Sequence, residues 1–367
     1  MRNKNIIIAS SGTGGHIYPG IALAEEFKNK GYNIIFFIGN NSASIEILKN
    51  SGFEYIQFNI SGMPRKISFL FVPFLFKMKF AFYKSVKQII KIKPLAVIGT
   101  GGYVAVPVLF AAKILQRKIF IHEQNTIPGK ANLLLNRITD KIFLSFQSSE
   151  KYFKNKNTIL AAYPVRKDIL STSREKALQK LKLKNEVFTI LIFGGSLGAV
   201  KLNYVASETF LDVSFKNKIQ VIHITGHNNY VIIQERVKDN PDYLVFKYMH
   251  DIANAYAASN IVICRSGAST VFELKALNKP AILIPYPYAT DNHQYWNAKE
   301  IEKDGKVIII EEKNLTKETL INGIHTLKGN TKSNNNTETI NKFPHELIFD
   351  LMLQVILNNH IKLSKKL

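Results

Sequence analysis

Three glycine-rich segments sit directly after apolar runs: Ser11-Gly12-Thr13-Gly14-Gly15-His16, Gly99-Thr100-Gly101-Gly102-Tyr103 and Gly194-Gly195-Ser196-Leu197-Gly198. Where a strand gives way to a helix, backbone N–H groups and the helix dipole favour an anion, so such a loop suits a phosphate. A single loop of this kind is explained equally well by a tight turn that needs glycine for its dihedral angles. Three of them, spread over both halves of the chain, favour diphosphate chemistry. Dinucleotide binding would want the G-x-G-x-x-G spacing and an acidic residue closing the second strand. Residues 12–15 lack that spacing, and the second strand runs into Gly39-Asn40-Asn41 without a carboxylate. No cofactor is therefore expected. Nor is a metal, because the sequence has no Asp-X-Asp pair and no grouping of His, Cys and carboxylates. The single cysteine, Cys264, lies in the apolar run Ile261-Val262-Ile263-Cys264, which excludes a disulfide framework and fits a reducing cytoplasm.

The elements that must position these loops form two similar halves. Ile6-Ile7-Ile8-Ala9 and residues 34–38, 96–98, 119–122 and 142–144 are apolar runs of strand length, with helical patterns such as residues 21–27 between them. That alternation predicts a mostly parallel sheet. It restarts at residues 189–193 and continues through 221–224, 244–246, 261–264, 281–284 and 307–310. The fold class expected is α/β, with two Rossmann-like doubly wound domains. Tyr163-Pro164-Val165-Arg166 marks the junction, since proline disfavours helix before it and a charged helical stretch, residues 173–184, follows. Domains of residues 1–163 and 164–343 result. Residues 328–337, rich in Asn, Ser, Thr and Lys, read as a flexible connector. Beyond them Leu347, Ile348, Leu351, Val355 and Ile356 recur at helical spacing, predicting an amphipathic helix over about 344–362 that returns to the first domain.

The net charge is +22, but Lys, Asn and Ile are used heavily throughout, so the total is a weak guide. Its distribution says more. Residues 55–122 hold eleven Lys and Arg and no Asp or Glu, which makes one face of the first half strongly basic. No recognition helix or RNA-binding motif accompanies the charge, so nucleic acid is not expected as a partner. Within this stretch residues 65–93 contain eight Lys or Arg and seven Phe or Tyr; Phe69, Leu70, Phe71, Phe74, Leu75 and Phe76 surround Pro73 in a run too short to span a bilayer. Docking on an anionic membrane surface is expected, with a buried helix-and-loop core as the alternative for some of these residues. The uncharged residues 95–112 contain Gly99, Gly101, Gly102 and Pro107 and read as strand, loop and helix. Only Ile6-Ile7-Ile8 precede the first polar loop, so a signal peptide is not expected.

Residues 12–20 with His16 and Pro19, Gly101-Gly102-Tyr103, His122-Glu123-Gln124-Asn125, Gly194-Gly195-Ser196, Cys264-Arg265-Ser266-Gly267-Ala268 and Gln294-Tyr295-Trp296-Asn297-Ala298 follow one another through almost the whole chain. In that combination the chain resembles the MurG-type N-acetylglucosaminyltransferases, which convert lipid I to lipid II in bacterial peptidoglycan synthesis. The resemblance implies a GT-B architecture, two Rossmann-like domains with a cleft between them. It implies a hexosyltransferase that binds UDP-N-acetylglucosamine mainly in the second domain and the acceptor diphosphate of lipid I mainly in the first. A peripheral enzyme on the cytoplasmic face of the inner membrane follows, and a cell-wall synthesis complex is admitted as a further partner.

Single residues take on roles from the same resemblance, each with an alternative. Glu273, in the first turns of a helix after Ser266-Gly267, would accept both ribose hydroxyls, or would only favour a helix N-terminus. Ser196 and its neighbouring N–H groups would hold a donor phosphate, and Arg166 would add charge as UDP leaves, unless it is an ordinary surface residue. Tyr248, Met249 and Ile252 would line the uracil pocket, Met249 through its backbone; by pattern alone they are core. His293 and Gln294 would read the sugar hydroxyls, with Asn125 reaching the sugar from the other domain, whereas Glu123 and Gln124 are equally explained as fixing their loop. Thr13, Gly14 and Gly15 fall among the donor contacts, and Gly14, Gly15, Gly101, Gly102 and Tyr103 on the acceptor diphosphate. The implied reaction is an in-line attack of the acceptor's 4-hydroxyl on the anomeric carbon, inverting α to β. His16 would be the base, with binding of the acceptor phosphate as its rival role.

The chain departs from the family pattern before Pro164-Val165-Arg166. Tyr163 stands where an Asn is usual, and Ala161-Ala162 replaces a glycine-containing pair, which bears on the hinge and on Arg166. A non-catalytic UDP-sugar sensor would need neither His16 nor the acceptor loops. A glycosyltransferase of the same fold with another lipid acceptor would share most of these features; a UDP-N-acetylglucosamine epimerase would share the fold without needing a membrane face.

Overall fold

The computed structural model describes residues 4–11, 14–60, 62, 71–154, 157–195, 198–212, 218–303, 305–330 and 344–364. Of the residues singled out above, Gly12, Thr13, Phe69, Leu70, Ser196, Leu197 and residues 331–337 lie outside the described residues. The chain divides into two compact units, Met1–Pro164 with Ile340–Leu367, and Val165–Thr339.

In the first unit the strands are β1 (Asn5–Ser10), β2 (Asn33–Ile38), β3 (Glu54–Gln57), β4 (Ala96–Gly101), β5 (Lys118–Glu123), β6 (Lys141–Leu144) and β7 (Thr158–Leu160). They form one parallel sheet in the order β3-β2-β1-β4-β5-β6-β7. The helices are α1 (Gly14–Asn29), α2 (Ser42–Ser51), α3 (Phe71–Ile92), α4 (Ala105–Ile114) and α5 (Lys130–Leu135). Isoleucine-rich strands are buried on both faces, as a parallel sheet covered by helices requires. One face packs on α3 and α4 through Ile7, Val97, Ile119 and Leu109; the other packs on α1 and the returning C-terminal helix through Ile8, Ile98 and Phe27. Residues 95–112 resolve into β4 and α4, and no described helix is long and apolar enough to cross a membrane.

The second unit opens with the short helices α6 (Lys167–Ser171) and α7 (Arg174–Leu181), the latter capped by Ser173, whose hydroxyl accepts from the Lys176 N–H at 3.4 Å. Its strands are β8 (Phe188–Phe193), β9 (Ile219–Ile224), β10 (Tyr243–Phe246), β11 (Ile261–Cys264), β12 (Ala281–Leu283) and β13 (Val307–Ile309), parallel in the order β10-β9-β8-β11-β12-β13. The helices α8 (Val200–Phe210), α9 (Tyr230–Val237), α10 (Ile252–Ala258), α11 (Ala268–Ala276), α12 (His293–Glu302) and α13 (Lys317–Asn330) alternate with them. Both units are thus doubly wound α/β folds. In each, the strand order reverses beside the first strand of the unit, between β1 and β4 and between β8 and β11, which is where open parallel sheets leave a crevice at their carboxyl ends.

Two details differ from expectation. Helix α13 continues to Asn330, so the first three residues read as connector are helical. Strands β3 and β7, absent from the sequence reading, are the two edges of the first sheet; their residues are half-exposed and carry too little apolar periodicity to register. The last helix, α14 (Pro344–Ser364), lays Ile348, Phe349, Met352 and Ile356 on α1, with the Phe349 ring 4.9 Å from Phe27.

Candidate active site

In the first unit the glycine loops meet at the reversal point. Ala9 pairs with Gly99, but Ser10 pairs with Gly101, so the ladder between β1 and β4 skips Thr100. Gly101 and Gly102 then take φ of +115° and +80°. A Cβ on Gly102 would lie 2.2 Å from Ser11 Oγ, and one on Gly101 would lie 2.5 Å from His16 Nδ1. Only glycine fits either position. Tyr103 leaves this corner and stacks edge-on against Phe74 of α3, where burial pushes its phenol pKa upward. Gly14 and Gly15 form the first turn of α1, and His16, on the same turn, is half-buried.

Strand β5 ends in a dense polar cluster. The Glu123 carboxylate is buried and accepts from Asn125 N at 2.9 Å, Gly129 N at 3.0 Å and Asn132 Nδ2 at 2.8 Å, with a longer bond from Asn125 Nδ2 at 3.4 Å. Burial raises its pKa and these donors oppose the rise. Glu123 therefore closes the loop over residues 125–129 and sets where Asn125 stands. Gln124 donates from Nε2 to Thr100 O at 2.8 Å and lies with its Oε1 3.3 Å from His16 Nδ1. His122 is fully buried, and desolvation holds its pKa down at about 4, so it is neutral. The unusual segment before the unit boundary packs here: Tyr163 is buried with its ring 6.0 Å from that of His122, and Ala162 sits at φ +55°, a conformation glycine would take more cheaply by about 1–2 kcal/mol.

In the second unit the loop after β8 has the same requirement for glycine. Gly195 and Gly198 have φ of +86° and +81°, a Cβ on Gly198 would lie 2.2 Å from Thr225 O, and one on Gly194 2.4 Å from Ala199 N. Glu273, on α11 beside the end of β11, is buried and accepts from Tyr256 Oη at 2.8 Å. Burial drives its pKa up to about 7, against the pull of the Arg166 charge and the tyrosine hydrogen bond, with Asp168 adding to the rise. Arg166 is thus an electrostatic partner of Glu273 rather than an isolated surface residue, and its Nε lies 3.7 Å from Asp168 Oδ1. Tyr256 gave no signal in the sequence, since its hydrogen bond to Glu273 joins α10 to α11 across the fold. Cys264, beneath them, is buried with its thiol pKa pushed well up by desolvation, and it serves as packing.

The sugar-reading candidates form a second corner of this unit. Asp291 and Asn292 both take left-handed conformations, φ +53° and +54°, before α12 begins at His293. His293 Nδ1 bonds Thr290 O at 2.8 Å, which leaves the lone pair on Nε2, and burial lowers its pKa. Gln294 accepts from Tyr286 N at 3.0 Å through Oε1, so the other end of its amide is the donor end. The Gln294 backbone carbonyl accepts from Ser266 Oγ at 2.8 Å, joining this corner to the start of α11. Arg265, quoted in its motif but given no role from the sequence, donates to Ile284 O at 3.1 Å and Pro285 O at 3.2 Å and pairs with Glu312, locking the ends of β11 and β12. Met249 lies half-buried in the turn after the edge strand β10, with Tyr248 stacked on His250 beside it.

One group among the described residues brings three metal-ligating atoms within 4.8 Å of one another, Glu26, His345 and Glu346, where α1 meets α14. It lies about 15 Å along α1 from His16 and is separate from the glycine loops.

The chain matches the glycosyltransferase family 28 N-terminal domain over residues 6–144 and the family's C-terminal domain over residues 189–351. It is 37% identical over 332 residues to a UDP-N-acetylglucosamine–N-acetylmuramyl-(pentapeptide) pyrophosphoryl-undecaprenol N-acetylglucosamine transferase of Halothermothrix orenii, covering 88% of this chain and 90% of that one. To the protein of the same name from Caldanaerobacter subterraneus it is 39% identical over 330 residues, again covering 88% and 90%. The crystal structure of Acinetobacter baumannii MurG superposes with a TM-score of 0.67 at 28% identity, covering 89% of this chain and 91% of that one.

The Glu273 environment predicts a pH-dependent stability. Between pH 4.5, the carboxyl's ordinary value, and about 7, the folded chain keeps a proton that the unfolded chain has lost, so this group makes folding less favourable as the pH rises through that window. Glu273→Gln should therefore gain stability relative to the parent chain on going from pH 5 to pH 8, by about 1–3 kcal/mol. Urea melts of both proteins at the two pH values check this; an equal difference at both would place the folded-state pKa near its ordinary value.

Proposed function

The chain belongs to glycosyltransferase family 28, and on that premise we propose that it transfers N-acetylglucosamine from UDP-N-acetylglucosamine to the 4-hydroxyl of the muramoyl sugar of lipid I, giving lipid II. The observation that carries the reading is sequence identity to transferases named for this reaction, spread over 88% of the chain. The acceptor hydroxyl attacks the anomeric carbon as the bond to UDP breaks, and the configuration inverts. His16 takes the hydroxyl proton. The N–H groups of Gly14 and Gly15 at the start of α1, with those of Gly101, Gly102 and Tyr103, receive the acceptor's diphosphate, and Thr13 with Gly14 and Gly15 meets the donor. Glu273 accepts the ribose hydroxyls, Met249 offers its backbone to the uracil, and Asn125, His293 and Gln294 bond the sugar. As the leaving diphosphate gains charge, N–H groups around Ser196 and the Arg166 guanidinium meet it.

Purified protein with labelled UDP-N-acetylglucosamine and lipid I tests the reading: label should move into the extractable lipid. Release of UDP with no labelled lipid, or transfer to diacylglycerol in place of lipid I, would overturn it. Under the same conditions Glu273→Ala should raise the donor KM by about ten- to a hundredfold, from a charged hydrogen bond contributing about 1.5–3 kcal/mol. His16→Ala should lower kcat by about 10²–10⁴ and leave UDP affinity within about twofold. Because the ionised Glu273 is the acceptor, UDP binding should weaken as the pH falls through about 7, and Glu273→Gln should lose that slope.

The same proposal places the enzyme on the cytoplasmic face of the inner membrane, docked through α3. Phe74, Ala81 and Ile89 of this helix are buried, yet Val72, Leu75, Phe76, Phe80, Tyr83 and Ile90 are exposed, Phe80 to 71%. Exposed Lys77, Lys79 and Lys87 flank this outward stripe, whereas Lys84 is held by Gln57 O at 2.6 Å. Each lysine contributes about 1 kcal/mol near an anionic leaflet. Changing Lys77, Lys79 and Lys87 to Gln should therefore weaken co-sedimentation with anionic vesicles by about a hundredfold, and raised salt should do the same to the parent chain. Equal binding by a folded triple variant would remove α3 as the docking face.

A further inference from the structure

Gln124 is held in a single orientation by groups that differ in what they can accept. Its amide nitrogen faces Thr100 O at 2.8 Å, His122 O at 3.0 Å and His122 Nδ1 at 3.0 Å. Two of these are carbonyl oxygens, which only accept. The third is also an acceptor, because the other nitrogen of the neutral His122 ring, Nε2, faces Ala162 O at 3.4 Å and Ser145 Oγ at 3.2 Å and carries the ring proton toward that carbonyl. Turning the amide over would set its oxygen against three acceptors in a buried place and leave each of them without a donor. The nitrogen must therefore point inward, and Oε1 is the end that meets His16 Nδ1 at 3.3 Å.

An amide oxygen accepts and never donates, so the His16 nitrogen opposite it has to be the protonated one. We infer that Gln124 is a positioning residue that fixes His16 in the tautomer with hydrogen on Nδ1 and so keeps the lone pair on Nε2, the nitrogen that receives the acceptor's proton. This inference rests on the reading of His16 as the base. Gly101 secures the ring from the side: its missing Cβ is what lets the imidazole lie against the backbone, with Nδ1 on the Gln124 side. The polar chain from Ala162 O through His122 and Gln124 to His16 thus runs one way, each hydrogen assigned by its neighbour.

The full-length protein labelled with 15N-histidine, with the His16 signal identified by its loss in His16→Ala, tests this directly. At a pH where the ring is neutral, His16 should show a protonated Nδ1 and an unprotonated Nε2. In Gln124→Leu the two nitrogens should move toward an averaged mixture, kcat should fall by about ten- to a hundredfold, and the KM for UDP-N-acetylglucosamine should stay within about twofold. A proton on Nε2 in the parent chain would overturn the inference without any variant, and so would an unchanged tautomer in a folded Gln124→Leu protein. Should His16→Ala keep full kcat, the base reading falls on its own evidence, while the parent spectrum still decides what Gln124 does to the ring.

Discussion

At the carboxyl end of β4 the ladder to β1 loses one residue, and the consequences reach every polar group at that corner. Thr100 is skipped, so its buried carbonyl must find a donor outside the β1–β4 pairing. Gln124 supplies it. The same irregularity brings Gly101 beside Ser10 and lets the chain turn through two left-handed glycines, pressing Gly102 onto Ser11 and Gly101 onto the His16 ring. One local slip in register therefore determines the loop shape, the amino acids it tolerates and the orientation of the side chain that holds the imidazole. A Cβ at residue 101 or 102 would separate β4 from the start of α1 and lose all three together.

The polar groups around Gln124 and those around Glu273 are buried in different ways. Around the Gln124 amide nitrogen the partners are neutral: His122 is held at about 4 by burial, and the others are backbone carbonyls. A neutral network costs little to bury once matched, and it dictates direction, since every donor needs an acceptor. Around Glu273 the participants are charged. Burial against Tyr256 leaves the carboxylate poorly solvated, and the Arg166 charge only partly compensates, so its pKa stands at about 7. Such a group would gain from a ligand that supplies two hydroxyl donors, because those donors stabilise the ionised form that burial disfavours.

Much of this was legible in the sequence, for physical reasons. Parallel strands buried on both faces are continuous apolar runs, and glycines forced by close backbone approach stand out beside them, so β1, β4, β8 and β11 and their loops could be read directly. Edge strands β3 and β7 could not, because half-exposed residues need no apolar pattern. Roles that depend on direction were also hidden. Glu123 and Gln124 were open between site and scaffold, and only the donors converging on the Glu123 carboxylate assign it to the loop. The tyrosine beneath Glu273 was invisible because the contact joins two helices across a fold, with no spacing rule to announce it.

Helix α3 poses the remaining question of why apolar side chains point outward at all. The core needs one face of it, and Phe74, Ala81, Ser85 and Ile89 provide that face, with Ser85 capping its own turn through a 2.7 Å bond to Ala81 O. Among the described residues nothing in the packing of the first unit calls for Phe76, Phe80 and Tyr83 on the opposite side, and an exposed aromatic stripe works against solubility. Lysines along the same helix offset that by keeping the surface charged in water, yet they give no reason for the aromatics to be there. The proposed docking on a headgroup region would account for both at once, since rings settle at the boundary between acyl chains and water while ammonium groups meet anionic phosphates. The proposed acceptor is itself anchored in such a surface by its polyprenyl chain. Tyr103, which stacks on Phe74 from the end of the Gly101-Gly102 turn, is the physical link between that helix and the proposed acceptor loop.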